Sequence, residues 1–186
     1  MKIACLGWGS LVWDPRDLLI RRKWFSDGPL LPIEFCRQSD DGRITLVIAP
    51  QKPRVRTLWA IFSTEVLDDA VESLRAREGI CKKNVSKDVG RWVREQGNHD
   101  SVDPDIHNWA SWKGLDAVLW TSLTPKFLGE IDRVPSAEAV LDYLRNLLPY
   151  ERRRHAEQYI RRTPVQIDTD YRRLIEMQLG WLPYEE

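Results

Sequence analysis

The chain has 186 residues, 42% apolar and 30% charged, with Lys plus Arg equal to Asp plus Glu at 28 each. That length suits one domain with a sizeable core, and the neutral balance gives no general electrostatic footprint for nucleic acid or a membrane surface. No run approaches the roughly 18 apolar residues of a membrane span, and the first residues read as a strand, not a signal peptide.

Residues 3–6 are a short apolar strand. Gly7, Trp8, Gly9, Ser10 and Leu11 follow as a turn, where two glycines can take positive φ and let a ligand approach the backbone. Asp14 with Pro15 reads as the cap of a helix reaching Trp24. Leu31, Ile33 and Phe35 then alternate with Pro32, Glu34 and Cys36, as in a half-buried strand. Asp40-Asp41-Gly42 signals a hairpin into the β-branched stretch "RITLVIAP", and "VRTLWAIF" reads as a third strand.

Thr64 reads as the cap of an amphipathic helix carrying Val66, Leu67, Ala70, Val71 and Leu74, with Gly79 as its stop. Residues 86–96 read as a weaker helix with Val89, Trp92 and Val93 on one face, and 97–113 as a long loop. "LDAVLWTSL" is a strand. From Ser136 onward the pattern is helical, with further helices at 151–162 and 169–179. The expectation is an α+β unit over residues 1–135 and a helical C-terminal extension, 136–186, packed on it. Regular βα alternation is absent, which disfavours a doubly wound dinucleotide fold.

Cys5, Cys36 and Cys81 have no paired spacing, which suits a reducing, cytoplasmic setting. His99, His107 and His155 are far apart in sequence, so neither a metal nor a cofactor is expected. Ser10 has no histidine before His99 and no nucleophile-elbow motif, so a hydrolase triad is disfavoured. Cys36 and Cys81 lack an evident activating partner. Of nine tryptophans, Trp8 and either Trp109 or Trp112 are the ones placed near a pocket. The clusters Arg21-Arg22-Lys23, Arg152-Arg153-Arg154 and Arg161-Arg162 lie inside helical patterns and read as solvated faces.

Glu78 stands out among the charged residues. It sits in the last turn of the helix, where the dipole disfavours negative charge and where Arg75 and Arg77 are the expected residue type. A carboxylate so placed has its pKa raised, as a general acid or base requires.

The order of a strand, Trp8-Gly9-Ser10-Leu11, a hairpin, the strand 55–62 and a helix ending Glu78-Gly79 resembles the γ-glutamyl cyclotransferase-like superfamily. That family carries a Y-G-S-N or Y-G-S-L loop after its first strand and a helix ending in glutamate-glycine. Here Trp8 replaces the tyrosine, Ala60 stands where the family often has glycine, and about 35 residues intervene before the next strand. The tail after Ser136 has no placeable counterpart. The resemblance implies a small mixed β-barrel with flanking helices. It also implies a metal-independent reaction: the 7–11 backbone holds a γ-glutamyl head, Glu78 takes a proton from its amine, and cyclisation releases 5-oxoproline. Gly7, Trp8, Gly9, Ser10 and Leu11 are then substrate-binding and Glu78 catalytic, the two converging on one pocket. The partner is a small molecule with a γ-glutamyl-like head. The leaving amine and the oligomeric state stay open, as does a non-enzymatic carboxylate-binding module on the same fold. A nucleic-acid binder using Arg152 to Arg154 is disfavoured by the charge balance.

Overall fold

The structure is a computed structural model and describes residues 1–96 and 102–184. In chain order the elements are β1 (Ile3–Gly7), α1 (Ser10–Trp13), β2 (Leu30–Leu31), β3 (Ile33–Gln38), β4 (Ile44–Ile48), β5 (Val55–Arg56), β6 (Leu58–Ile61), α2 (Leu67–Glu78), α3 (Val85–Asp88), β7 (Val89–Val93), α4 (Pro104–Trp112), β8 (Ala117–Thr121), β9 (Lys126–Phe127), β10 (Glu130–Ile131), α5 (Ala137–Arg145), α6 (Tyr150–Arg162) and α7 (Asp170–Leu179). The class is α+β, with seven helices and three small sheets among the described residues. The sheets are open; no closed barrel forms among those residues.

The chain folds as two compact units. The first comprises Met1–Gly7, Asp14–Leu31 and Arg56–Leu123; the second comprises Trp8–Trp13, Pro32–Val55 and Thr124–Glu186. In the first unit the sheet runs β6-β1-β8-β7. β1 lies antiparallel to β6 and parallel to β8, with Cys5 opposite Ala60 on one side and Leu119 on the other. All five β1 residues are buried, which explains why the stretch is uniformly apolar rather than alternating. α2 lies against β8 and β7, burying Ala70 and Leu74.

The second unit is built on the sheet β10-β9-β3-β4. The hairpin at Asp40-Asp41-Gly42 forms as expected, β3 pairing antiparallel with β4 and Gly42 turning at φ 90°. α7 packs on β3 and on α5, and α6 on β4 and α1. Ser136 accepts from the Ala139 amide and Thr169 from the Arg172 amide, so both helices start at side-chain caps.

Five local expectations are corrected. Residues 14–24 are not a helix. Instead Ile20 bridges Phe62 and Phe25 bridges Trp59, which supplies partners to the outer edge of β6 that a helix could not. Residues 86–96 hold the strand β7, because Val and Trp also favour the pleated surface and β8 offers it a register from Val89–Thr121 to Val93–Ala117. Gly90 in that strand carries no Cβ because the Trp120 indole fills the space. The expected 97–113 loop contains α4, started by Asp103, whose side chain accepts from the Asp105 amide with Pro104 at the first position. The strand 55–62 is split into β5 and β6. α2 itself begins at Leu67 after Val66; Thr64 contributes by accepting from the Val66 amide at 3.1 Å.

Candidate functional site

Glu78 is the last residue of α2. Gly79 ends the helix in the left-handed region at φ 67°, and the Ile80 amide closes back on the Arg75 carbonyl at 3.0 Å, a Schellman-type stop. Arg75 pairs with Glu72 and donates to the Ile80 carbonyl at 2.6 Å, as a last-turn arginine should. Arg77 does something else. Its side chain is only 6% exposed, and its Nη1 donates to Glu78 Oε1 at 2.7 Å. Its Nε and Nη2 both donate to the Asp14 carbonyl, at 3.1 and 2.6 Å. The fork is thus held by a backbone oxygen and presents one N–H to the carboxylate.

Burial raises the Glu78 pKa, opposed by the charges of Arg77 and Arg16 and by the Arg77 hydrogen bond. The direction matches the sequence expectation, but desolvation, not the helix dipole, is the main cause. Glu78 Oε1 is held by Arg77, while Oε2 has no hydrogen bond among the described residues. On β1 the Cys5 thiol is pushed far up, by its own burial first and by the Glu78 charge second. Within the first unit, Glu78 therefore acts on a residue two positions before the chain leaves at Gly7. Its partner Arg77 holds the residue at which the chain returns, Asp14.

The intervening turn belongs to the second unit. Trp8 is buried, and its Nε1 donates to the Leu46 carbonyl at 3.3 Å. Leu11 is buried, Ser10 begins α1, and the Val12 amide donates to the Gly9 carbonyl at 2.9 Å. Neither Gly7 nor Gly9 has positive φ, which corrects the first reason given for glycine there. At Gly9 the reason is space: an added Cβ would lie 2.5 Å from the Tyr159 hydroxyl oxygen.

The other singled-out residues fall elsewhere. Trp109 is buried and donates to the Asp27 carbonyl at 2.8 Å, stacked edge-on to Trp59, whereas Trp112 is 78% exposed. His107 Nδ1 accepts from Trp92 Nε1 at 3.1 Å; His155 is exposed, and His99 lies outside the described residues. Among the described residues no three His, Cys, Asp or Glu side chains are grouped to hold a metal ion. A cleft of about 330 Å³ beside β7 is lined by Lys87, Arg91, Trp92, Trp120 and Ser122, among others, and contains neither Glu78 nor Gly7.

No family model, no curated protein and no solved structure matches the chain.

Three residues have roles that their sequence positions do not show. Arg77, a residue type expected in a last turn for the dipole alone, is also the charged partner of Glu78. Tyr159 lies in what reads as a charged helix, yet it is buried. Glu34 was placed on the outer face of a half-buried strand and is 0% exposed. It accepts from Thr169 Oγ1 at 2.5 Å, the Phe35 amide at 2.8 Å and the Tyr171 amide at 3.3 Å. Burial raises its pKa against the pull of those bonds. Beside it the Cys36 thiol is pushed up to about 12, again by burial first. Lys52 donates to the Tyr171 hydroxyl, which donates in turn to the Pro135 carbonyl.

Proposed function

We propose that the protein is a metal-independent γ-glutamyl cyclotransferase-like enzyme that releases 5-oxoproline from a γ-glutamyl amine or peptide. The observation that carries this reading is the state of Glu78: a mostly buried carboxylate with a raised proton affinity, one oxygen anchored to Arg77 and the other without a hydrogen bond. Such a group can take a proton and return it.

The steps follow from those properties. Glu78 takes a proton from the substrate α-amine, which frees its lone pair. The nitrogen attacks the γ-carbonyl carbon, closing a five-membered ring and placing negative charge on the carbonyl oxygen. The bond to the leaving nitrogen then breaks as that nitrogen receives the proton from Glu78, and the ring nitrogen, left with two hydrogens by its attack, gives one of them to water or to the departing amine. Intramolecular attack gains much of its rate from proximity, up to roughly 7–11 kcal/mol in well-oriented cases. Backbone amides suit the oxyanion, and on this reading those of the 7–11 turn serve it and the head group. Support for the turn's part is the likeness of Trp8-Gly9-Ser10-Leu11, directly after the first strand, to the family's loop. The fold type of the family is proposed with it, on the order β1, turn, hairpin, β6 and an α2 that ends Glu78-Gly79. A reducing, cytoplasmic setting fits three cysteines that are all unpaired thiols.

The deciding experiment is mass spectrometry of 5-oxoproline release from a panel of γ-glutamyl amines and peptides, with Glu78→Gln as control. Release by the unchanged chain and its loss in the variant are expected. Binding of γ-glutamyl compounds without release from any of them would leave a carboxylate-binding module instead.

A further inference from the structure

The glycine at position 9 is matched to a side chain about 150 residues further along the chain. α6 supplies Tyr159, which is buried. Its ring meets Trp13 edge-on with centroids 5.3 Å apart, and Phe35 edge-on at 6.5 Å. The Arg43 guanidinium lies over the ring, 5.5 Å from its centre. Aromatic contacts of this kind restrict the ring in both position and tilt. The hydroxyl then accepts from the Leu46 amide at 3.4 Å, and the carbonyl of the same Leu46 accepts from the Trp8 indole. One residue of β4 thereby ties down both the tyrosine and the tryptophan of the turn.

Between those ties lies Gly9. An ideal Cβ there would be 2.5 Å from the Tyr159 oxygen but 3.5 Å from Cζ. The first distance is a collision and the second an ordinary van der Waals contact. The hydroxyl alone, not the ring, excludes a side chain at position 9, and the Gly9 backbone does not itself demand glycine.

We propose that Tyr159 is a positioning residue for the 7–11 turn, its hydroxyl fixing where the Gly9 backbone lies and hence where the turn meets a substrate head group. The proposal rests on the reading of that turn as the head-group holder. It assigns a role at the site to the C-terminal helices, which the resemblance to the cyclotransferase-like family left without one.

The test compares the unchanged chain with Gly9→Ala, Tyr159→Phe and the double variant, in chemical unfolding and in calorimetric binding of γ-glutamylmethylamide. Gly9→Ala is expected to lower the unfolding midpoint and to weaken binding about tenfold or more, since displacement of a site by 1 Å can cost a hundredfold in rate. Adding Tyr159→Phe removes the colliding oxygen, so the double variant should be no less stable than Tyr159→Phe alone. Tyr159→Phe by itself should weaken binding severalfold and also lower 5-oxoproline turnover at saturation, because the same turn supplies the oxyanion donors. A double variant as impaired in stability as the sum of the single ones would overturn the contact. Unchanged affinity in Tyr159→Phe, with the stability rescue present, would overturn the positioning role and leave packing only. If the unchanged chain neither binds nor converts the amide, the functional reading falls and the proposal with it, while the stability cycle still reports on the contact separately.

Discussion

Glu34 and Glu78 are both mostly buried carboxylates with raised pKa, yet they are satisfied in opposite ways. Glu34 has no exposed surface and accepts three hydrogen bonds, two from backbone amides and one from Thr169. Thr169 also caps α7, so Glu34 ties the start of that helix to β3. Glu78 keeps 17% of its side chain exposed and has one hydrogen-bonding partner, the charged Arg77, held in place by the Asp14 carbonyl. Three donors, two of them from the start of α7, make the first a structural joint, because a lone pair so held is one that cannot meet a ligand. The second is poised between burial, which favours its proton, and Arg77, which disfavours it. Burial alone does not distinguish a working carboxylate; the number and kind of its partners do.

Substitutions can break this contrast. The largest effect is expected at Glu78→Gln, which should lower 5-oxoproline turnover by about 10²–10⁴-fold, the usual worth of a general acid or base, while the unfolding midpoint changes little. Near-normal turnover on a verified substrate would remove Glu78 from the chemistry. Glu34→Ala should do the reverse. It leaves three donors unpartnered in a closed site and should cost about 3 kcal/mol or more, read from denaturant midpoints. A loss below about 1 kcal/mol would mean that the three bonds contribute little net stability.

Arg77→Gln sharpens the contrast further. Arg77 lowers the proton affinity of Glu78, so its removal should shift the acid limb of the pH–rate profile upward. A limb that stays in place would show that another group controls it. The smallest effect concerns stability against pH. Both carboxyls have folded pKa values above the ordinary 4.5. The native state therefore holds more protons than the unfolded chain between 4.5 and the raised values, and stability from these groups falls as pH rises through that window. Glu78→Gln should make the slope shallower, as should Glu34→Gln.

The legible parts of the sequence were those with local signals. The Gly79 stop, the Ser136 cap and the Asp40-Asp41-Gly42 hairpin are each written in adjacent residues and each form. β7 was misread because Val89, Trp92 and Val93 satisfy a helical spacing over too short a span to outweigh the strand preference of Val and Trp. α4 was passed over although Asp103-Pro104 is a start signal; the polar run before it masked the cue. Glu78 could be found from its place at a helix end. Tyr159 and Glu34 could not, because what defines them is contact with residues 113 and 135 positions away; Arg77 stands next to Glu78, but the carbonyl that fixes its fork is that of Asp14, 63 positions back. The same limit explains Gly9, whose reason lies in a hydroxyl on a distant helix rather than in its own torsion angle.

The path of the backbone has a practical consequence for anyone wishing to dissect the molecule. Each compact unit is assembled from three separated stretches, so the chain passes from one to the other five times. No single proteolytic cut and no simple truncation can yield either unit whole. An expression design for the first would have to splice residue 7 to 14 and residue 31 to 56, then stop at 123. Its β1–β8 pair would still join residues more than 100 positions apart, and such pairings form late and slowly compared with local ones. The order of synthesis matters as well. The first unit has its last residue in hand by position 123, whereas β3 and β4 must wait for Tyr159, Thr169 and Tyr171 to emerge before their buried amides and Glu34 are satisfied.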